Sequence, residues 1–176
     1  MIRDIVVMMV ENADALCGSV KYENYARGIR LLEFPEIQTI NSAEASHSIG
    51  IRPNNGECLP ITVRTHYDKS VPKGLEAMVK GTNLTKITIY HLVSTGGDTL
   101  TLNRYVEMAD VYLIKYSLHY FDAFNHESPQ GGIATYTFKF DEFQSVSNVF
   151  DDQMQEQGQT GYLVNNTKRF TDNVGG

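Results

Sequence analysis

Five histidines, His47, His66, His91, His119 and His126, are the residues best placed by type to do acid–base or metal chemistry. None belongs to an HExxH pair, so a helix-borne zinc site is excluded. His66 with Asp68, and His119 with Asp122, are near neighbours in sequence at predicted strand ends. Strand pairing could gather His66, His91 and His119 into the three-ligand arrangement of a zinc centre. Ordinary strand histidines, satisfied by neighbours or water, are the simpler account. Asp122, Glu127, Asp141 and Glu142 could form the carboxylate pair of a glycosidase-type site, but they fall in predicted solvated turns. Ser42, Ser46 and Ser48 lack a nucleophile-elbow context. Gly96-Gly97 and Gly131-Gly132 are turn glycines, with neither the GxGxxG pattern nor the lysine of a phosphate loop. We therefore assign no catalytic residue, no cofactor-binding residue, no metal ligand and no cofactor, and expect a protein that is not an enzyme.

Cys17 and Cys58 are the only cysteines, and their spacing matches no metal motif. They read as plain buried thiols; a disulfide between them is disfavoured by an expected cytosolic origin. Lys69, Lys73, Lys80 and Lys86 form a modest basic cluster, suited to acidic groups on a neighbouring subunit.

The 176 residues suffice for one domain with its own core. The net charge of -6 argues against a nucleic-acid binder, which wants a basic field. No run reaches the roughly 18 apolar residues of a membrane span, so membrane insertion is not expected. Met1 to Val10 is not followed by signal-peptide features. The expected location is cytoplasmic during assembly, with any export proceeding without a standard signal.

The elements that must position these groups are mostly strands. Asp4 to Val10 reads as a first strand, and Asn12 to Arg27 as polar loop. Gly28 to Phe34 reads as a second strand, with Glu36 to Ile40 continuing it after Pro35. Asn41 to Glu57 is a long loop or protruding hairpin. Pro60 to Tyr67 alternates, with Ile61, Val63 and Thr65 on one face and Thr62, Arg64 and His66 on the other. A short helix follows, with Ser70 as N-cap, Pro72 in the first turn and Gly81 as stop. Val71, Leu75, Met78 and Val79 form its expected apolar face. Thr85 to Val93, Thr99 to Glu107 and Met108 to Phe121 are further strands, the first two joined by a turn at Ser94 to Asp98. In the last, Tyr112, Ile114, Tyr116, Leu118 and Tyr120 share one face, and Val111, Leu113, Lys115, Ser117 and His119 the other. A turn at Ser128 to Gly132 leads into Ile133 to Phe140, whose Tyr136, Phe138 and Phe140 should pack across from those tyrosines. Phe143 to Gly161 is polar and low in complexity, and reads as a linker or arm. Tyr162 to Phe170 is a terminal strand, and Thr171 to Gly176 is loose.

The segment Thr65-His66-Tyr67-Asp68-Lys69-Ser70-Val71-Pro72-Lys73-Gly74-Leu75-Glu76-Ala77-Met78 resembles the strand-to-helix signature of the Hcp family, the haemolysin-coregulated tube proteins of type VI secretion. Tyr67, Asp68, Lys69, Ser70, Pro72 and Leu75 match that pattern, and the later strands fall in the family's order. The resemblance spans about Met1 to Ser145. It lacks the family's glycine-glutamate-serine start at Ala15 to Arg27 and its glycine-rich second loop.

The resemblance implies an antiparallel β-barrel of two packed sheets with one short helix on its side. It implies a barrel domain over 1–146, with 147–176 as a polar linker and C-terminal arm of the same subunit. It further implies homohexameric rings stacked into the inner tube of the secretion apparatus, a virulence-associated machine. Sheath proteins, a spike protein and effectors carried in the lumen would be partners, and firing would release the tube from the cell. Asn41 to Glu57 would serve ring stacking, and Thr62, Arg64, Lys115 and Ser117 would face the channel. Three other readings stay open: a tail-tube subunit of a phage-like contractile particle, a secreted β binding domain, and a hydrolytic effector acting through His66 or His119.

Overall fold

The computed structural model describes residues 4–40, 57–94, 100–120, 131–150, 156–165 and 170–173. The segments Asn41–Gly56, Thr95–Thr99 and Phe121–Gln130 lie outside them, so the expected stacking loop, most of two turns, and His47, His126, Asp122, Glu127, Ser42, Ser46 and Ser48 do too.

The first strands are β1 (Asp4–Val10), β2 (Ile29–Leu31), β3 (Thr39–Ile40), β4 (Glu57–Cys58) and β5 (Ile61–His66). Helix α1 (Ser70–Lys80) follows. Then come β6 (Lys86–Ser94), β7 (Leu100–Ala109), β8 (Tyr112–Tyr120), β9 (Gly132–Lys139), β10 (Glu142–Phe150), β11 (Glu156–Asn165) and β12 (Phe170–Asn173). Every described strand pairing is antiparallel. Ten strands form one sheet in the order β12-β11-β10-β7-β6-β1-β2-β5-β9-β8; β3 and β4 pair separately.

The sheet curls around its own core. Val6, Met8, Ile61, Val63, Ile87, Ile89, Val106, Tyr136 and Phe138 join one cluster with Leu113 on β8 and Val164 on β11, although these last two strands lie near opposite ends of the hydrogen-bonded order. The alternation of apolar residues dictates this: each strand has one face to hide, and a curled sheet hides all of them together. The fold is thus mainly antiparallel β and barrel-like, with β12 and β8 as unpaired ends of the order. A smaller cluster, Ile5, Val7 and Leu92, sits on the opposite face of β1 and β6 and is covered by Val20 and Tyr25 of the preceding loop.

Several elements differ from the sequence reading. Ser70 is not the N-cap: Lys69 holds that position without a side-chain cap bond, and the Asp68 carboxylate accepts the Ser70 N–H at 2.8 Å. The helix buries Ser70, Val71, Gly74 and Ala77, while Leu75 is 46% and Val79 75% exposed. Of the expected apolar face, Val71 is buried and Met78 packs partly against the core, while Gly74 and Ala77, not Leu75 and Val79, complete the buried side. The strand expected from Met108 is two: β7 runs to Ala109, Asp110 turns at φ 53°, and β8 starts at Tyr112. A bulge between Leu113 and Lys115 breaks the expected alternation. Leu113 is buried, and beyond the bulge Tyr116 and Leu118 are the residues packed on the core, leaving Tyr112 and Ile114 exposed.

The polar stretch from Phe143 to Gly161 is not a linker where it is described. β10 runs across residues 146 and 147 without a break, pairing β7 on one side and β11 on the other. Phe143 and Val146 are buried and Ser145 and Ser147 are not, so a half-buried strand explains the composition better than a tether. Gly81 does stop α1, at φ 61°, with its N–H and the next one returning to the helix carbonyls.

Candidate functional site

Among the described residues, the features of interest are the sheet faces, the sheet ends and the seat of the helix. The helix seat comes first because it explains the sequence signature. Asp68 caps Ser70, whose hydroxyl also bonds the Asp68 carboxylate and lies 3.1 Å from the Tyr136 hydroxyl. Tyr136 is fully buried, and burial raises its phenol well above the usual tyrosine value. The ring stacks obliquely on Tyr116 at 5.6 Å and near Phe138 at 6.3 Å, the aromatic pairing expected from the two strands. Gly74 sits directly on this ring, a Cβ there standing 2.9 Å from its Cε1. A glycine inside an exposed helix costs about 1 kcal/mol, which is itself a signal of close packing that the sequence carried.

The outer face of β5, β9 and β8 is polar and ordered by register. Thr62 pairs with Thr137 and Lys115 with Thr137; Arg64 pairs with Thr135 and Ser117 with Thr135. The four residues expected to face a channel, Thr62, Arg64, Lys115 and Ser117, therefore share one face of three adjacent strands, and all four are exposed. The hydroxyls of Thr62 and Thr137 are 3.0 Å apart. Arg64 reaches Glu33 through two bonds, Nε at 2.8 Å and an Nη at 2.9 Å. That hydrogen bonding holds the Glu33 carboxyl below its ordinary value and Arg64 above its own.

The histidines are only partly gathered. His66 and His119 flank Ile133 from the two strands beside β9. His91 pairs with Val6 on the core-facing side of β6 and does not flank Ile133 with the other two. Among the described residues, no group of three potential ligands could hold a metal ion. His91 has both nitrogens engaged: Nε2 lies 3.3 Å from Asp4 and Nδ1 3.2 Å from the Asn103 amide.

His91 lines the mouth of a cavity. The Phe34 ring lies over it at 5.9 Å, and the Arg104 guanidinium covers the Phe34 ring at 4.4 Å from its centre. A cavity of about 1110 Å³ opens here, bounded also by His66 and Asp68. Sequence reasoning missed this assembly, since it joins Phe34, beyond the end of β2, to residues of β6 and β7 far along the chain.

Neither cysteine forms a disulfide among the described residues and both are buried; desolvation raises the Cys58 thiol to about 12. The lysine cluster is largely spent within the chain. Lys73 donates to the Asp14 carbonyl at 2.9 Å, Lys80 pairs with Glu76, and Lys86 lies 3.5 Å from Glu107. Asp141 lies in the bend before β10 and Glu142 is its first residue, so the two are chain neighbours at a strand start. No helix among the described residues is long and apolar enough to cross a membrane.

Comparison with known proteins agrees with this picture. The family model described as "Type VI secretion system effector, Hcp" matches residues 7–148. No curated protein matches the chain by sequence. Among solved structures, one titled as a type six secretion system protein superposes with a TM-score of 0.79 at 13% identity, covering 97% of this chain and 100% of that one. Hcp1 from Salmonella typhimurium gives 0.70 at 9% identity, with 97% and 100% covered. A type VI secretion system effector from Yersinia pestis gives 0.63 at 10% identity, with 96% and 99% covered. At such identities these likenesses establish the shared fold.

Proposed function

Since the chain belongs to the Hcp family of type VI secretion proteins, we propose that it is a structural subunit of the secretion inner tube, closing as six copies into rings that stack around a channel. The observation that carries this reading is the sheet itself: a curled ten-stranded sheet with edges at β12 and β8 and a polar outer face over β5, β9 and β8. An exposed strand edge invites pairing with another chain unless something blocks it. Subunits joined head to tail by a heterologous contact close into a ring when the rotation permits. Exposed Tyr112 and Ile114 on β8 add apolar contact area beside that edge.

In this reading the polar face bearing Thr62, Arg64, Lys115 and Ser117 lines the lumen and meets carried effectors. Sheath and spike proteins engage the assembled tube, and firing delivers it outside the cell. The segment 41–56 serves stacking between rings. Residues 1–146 and 147–176 act as one subunit, because β10 spans their junction. The protein performs no bond chemistry; rigid edges and faces are its working parts.

The test is particle mass by light scattering on a sizing column, followed by negative-stain electron microscopy of the peak. Sixfold rings with a central hole are expected. A compact monomer at high concentration overturns the reading and favours a β binding domain.

A further inference from the structure

The mouth of the cavity beside His91 holds charges that the tube reading leaves unused. It is bordered by three acids, Asp4, Glu33 and Asp68, and three bases, Lys21, Arg30 and Arg104. The two sets are engaged very differently. Glu33 is paired with Arg64 from outside the cavity, Asp68 accepts both bonds from Ser70, and Asp4 Oδ2 lies 3.3 Å from His91 Nε2. Lys21, Arg30 and Arg104 have no carboxylate partner among the described residues.

Arg104 is also held in place. Its guanidinium rests on the Phe34 ring, which occupies one planar face and leaves the N–H edges available for an in-plane acceptor. His66 also lines the cavity, and its Nδ1 is buried without a hydrogen-bond partner among the described residues. A buried polar atom left alone is costly and calls for a ligand group. Phe34 and Tyr22 supply aromatic wall between the polar groups. The cavity volume of about 1110 Å³ far exceeds what one small anion fills.

We propose that this mouth binds an acidic peptide segment of a partner protein, with Arg104 taking a carboxylate, His66 Nδ1 meeting a peptide polar group, and Phe34 contacting an apolar side chain. Charge complementarity selects the class: unpaired cations in a chain of net charge -6 attract an anionic partner locally while the rest of the surface repels it.

The test uses the full chain and a fluorescein-labelled hexapeptide, Glu-Leu-Glu-Phe-Glu-Leu, followed by fluorescence anisotropy. Saturable binding that falls with added salt is expected, with no binding of the counterpart carrying lysine for glutamate. Arg104→Gln should weaken binding about tenfold, in line with loss of a charge-assisted bond. Arg104 is exposed, so the fold should survive, and circular dichroism checks it; Lys21→Gln offers a second, milder loss. Equal binding of the lysine peptide, or unchanged affinity in both variants, overturns the proposal. Displacement of the peptide by inorganic phosphate at matching concentration also overturns it, since the site would then be one for free anions. Rings seen by microscopy with no peptide binding would overturn this inference and leave the tube reading standing.

Discussion

Gly74 of the helix lies against the ring of Tyr136 so closely that a Cβ would stand 2.9 Å from Cε1 and 3.3 Å from Cζ. The ring cannot retreat, being fully buried between Tyr116 and Phe138. Gly74→Ala should therefore destabilise the protein by about 1–3 kcal/mol through overpacking, outweighing the gain of about 1 kcal/mol in helix propensity. The midpoint of urea unfolding reads this directly; an upward shift would show that the helix can slide off the ring.

The exposed side of the same helix predicts the reverse behaviour. Val79 is 75% exposed and Ala77 is 3% exposed. Val79→Lys should change stability by less than about 0.5 kcal/mol. Ala77→Asp, which buries a charge, should cost several kcal/mol, on the order of 3 or more. Thermal unfolding of the two variants distinguishes this arrangement from the apolar face expected from sequence, in which Val79 would be the sensitive position.

Alkaline pH should weaken the fold through Cys58. Burial raises its thiol from 9.0 to about 12. Between those values the unfolded chain has released the proton while the folded chain still holds it. The folded state therefore binds more protons, and stability falls as pH rises through that window. Cys58→Ala removes this contribution, so its urea midpoint should fall less between pH 8 and pH 11 than that of the unaltered protein.

Thr85 holds φ at 66°, a left-handed conformation unfavourable for a β-branched residue. Its N–H bonds the Asn83 side chain at 2.8 Å and its carbonyl accepts from Asp110 at 2.8 Å, which keep it there. Thr85→Gly should relieve about 1 kcal/mol of strain and raise the melting temperature by a few degrees. A drop would mean that the threonine side chain contributes more than its backbone costs.

The order and type of elements were largely legible because alternation is local. Ile61, Val63 and Thr65 against Thr62, Arg64 and His66 divided as expected, the first set buried and the second not. The same pattern failed in β8, where a bulge at Ile114 shifts the alternation; nothing in the local residue types marks where an extra residue is inserted. The helix was placed within a residue or so, and of its expected buried face Val71 and Met78 do pack on the core while Leu75 and Val79 do not. Size decides that face here, and size matters only once Tyr136 is known to lie beneath it.

Taken alone, the sequence determined a mainly antiparallel β fold with one short helix, a net acidic charge, and the absence of recognisable catalytic motifs. It could do so because strand period, helix stops and motif spacing are properties of neighbouring residues. Only the tertiary structure decided that Glu142–Phe150 and Glu156–Asn165 are strands of the sheet, that Thr62, Arg64, Lys115 and Ser117 share a face, and that Arg104, Phe34 and His91 stack together. Those relations join strands distant in the chain, and they are fixed by hydrogen-bond register and by the curling of the sheet around its core, neither of which is a property of any local window.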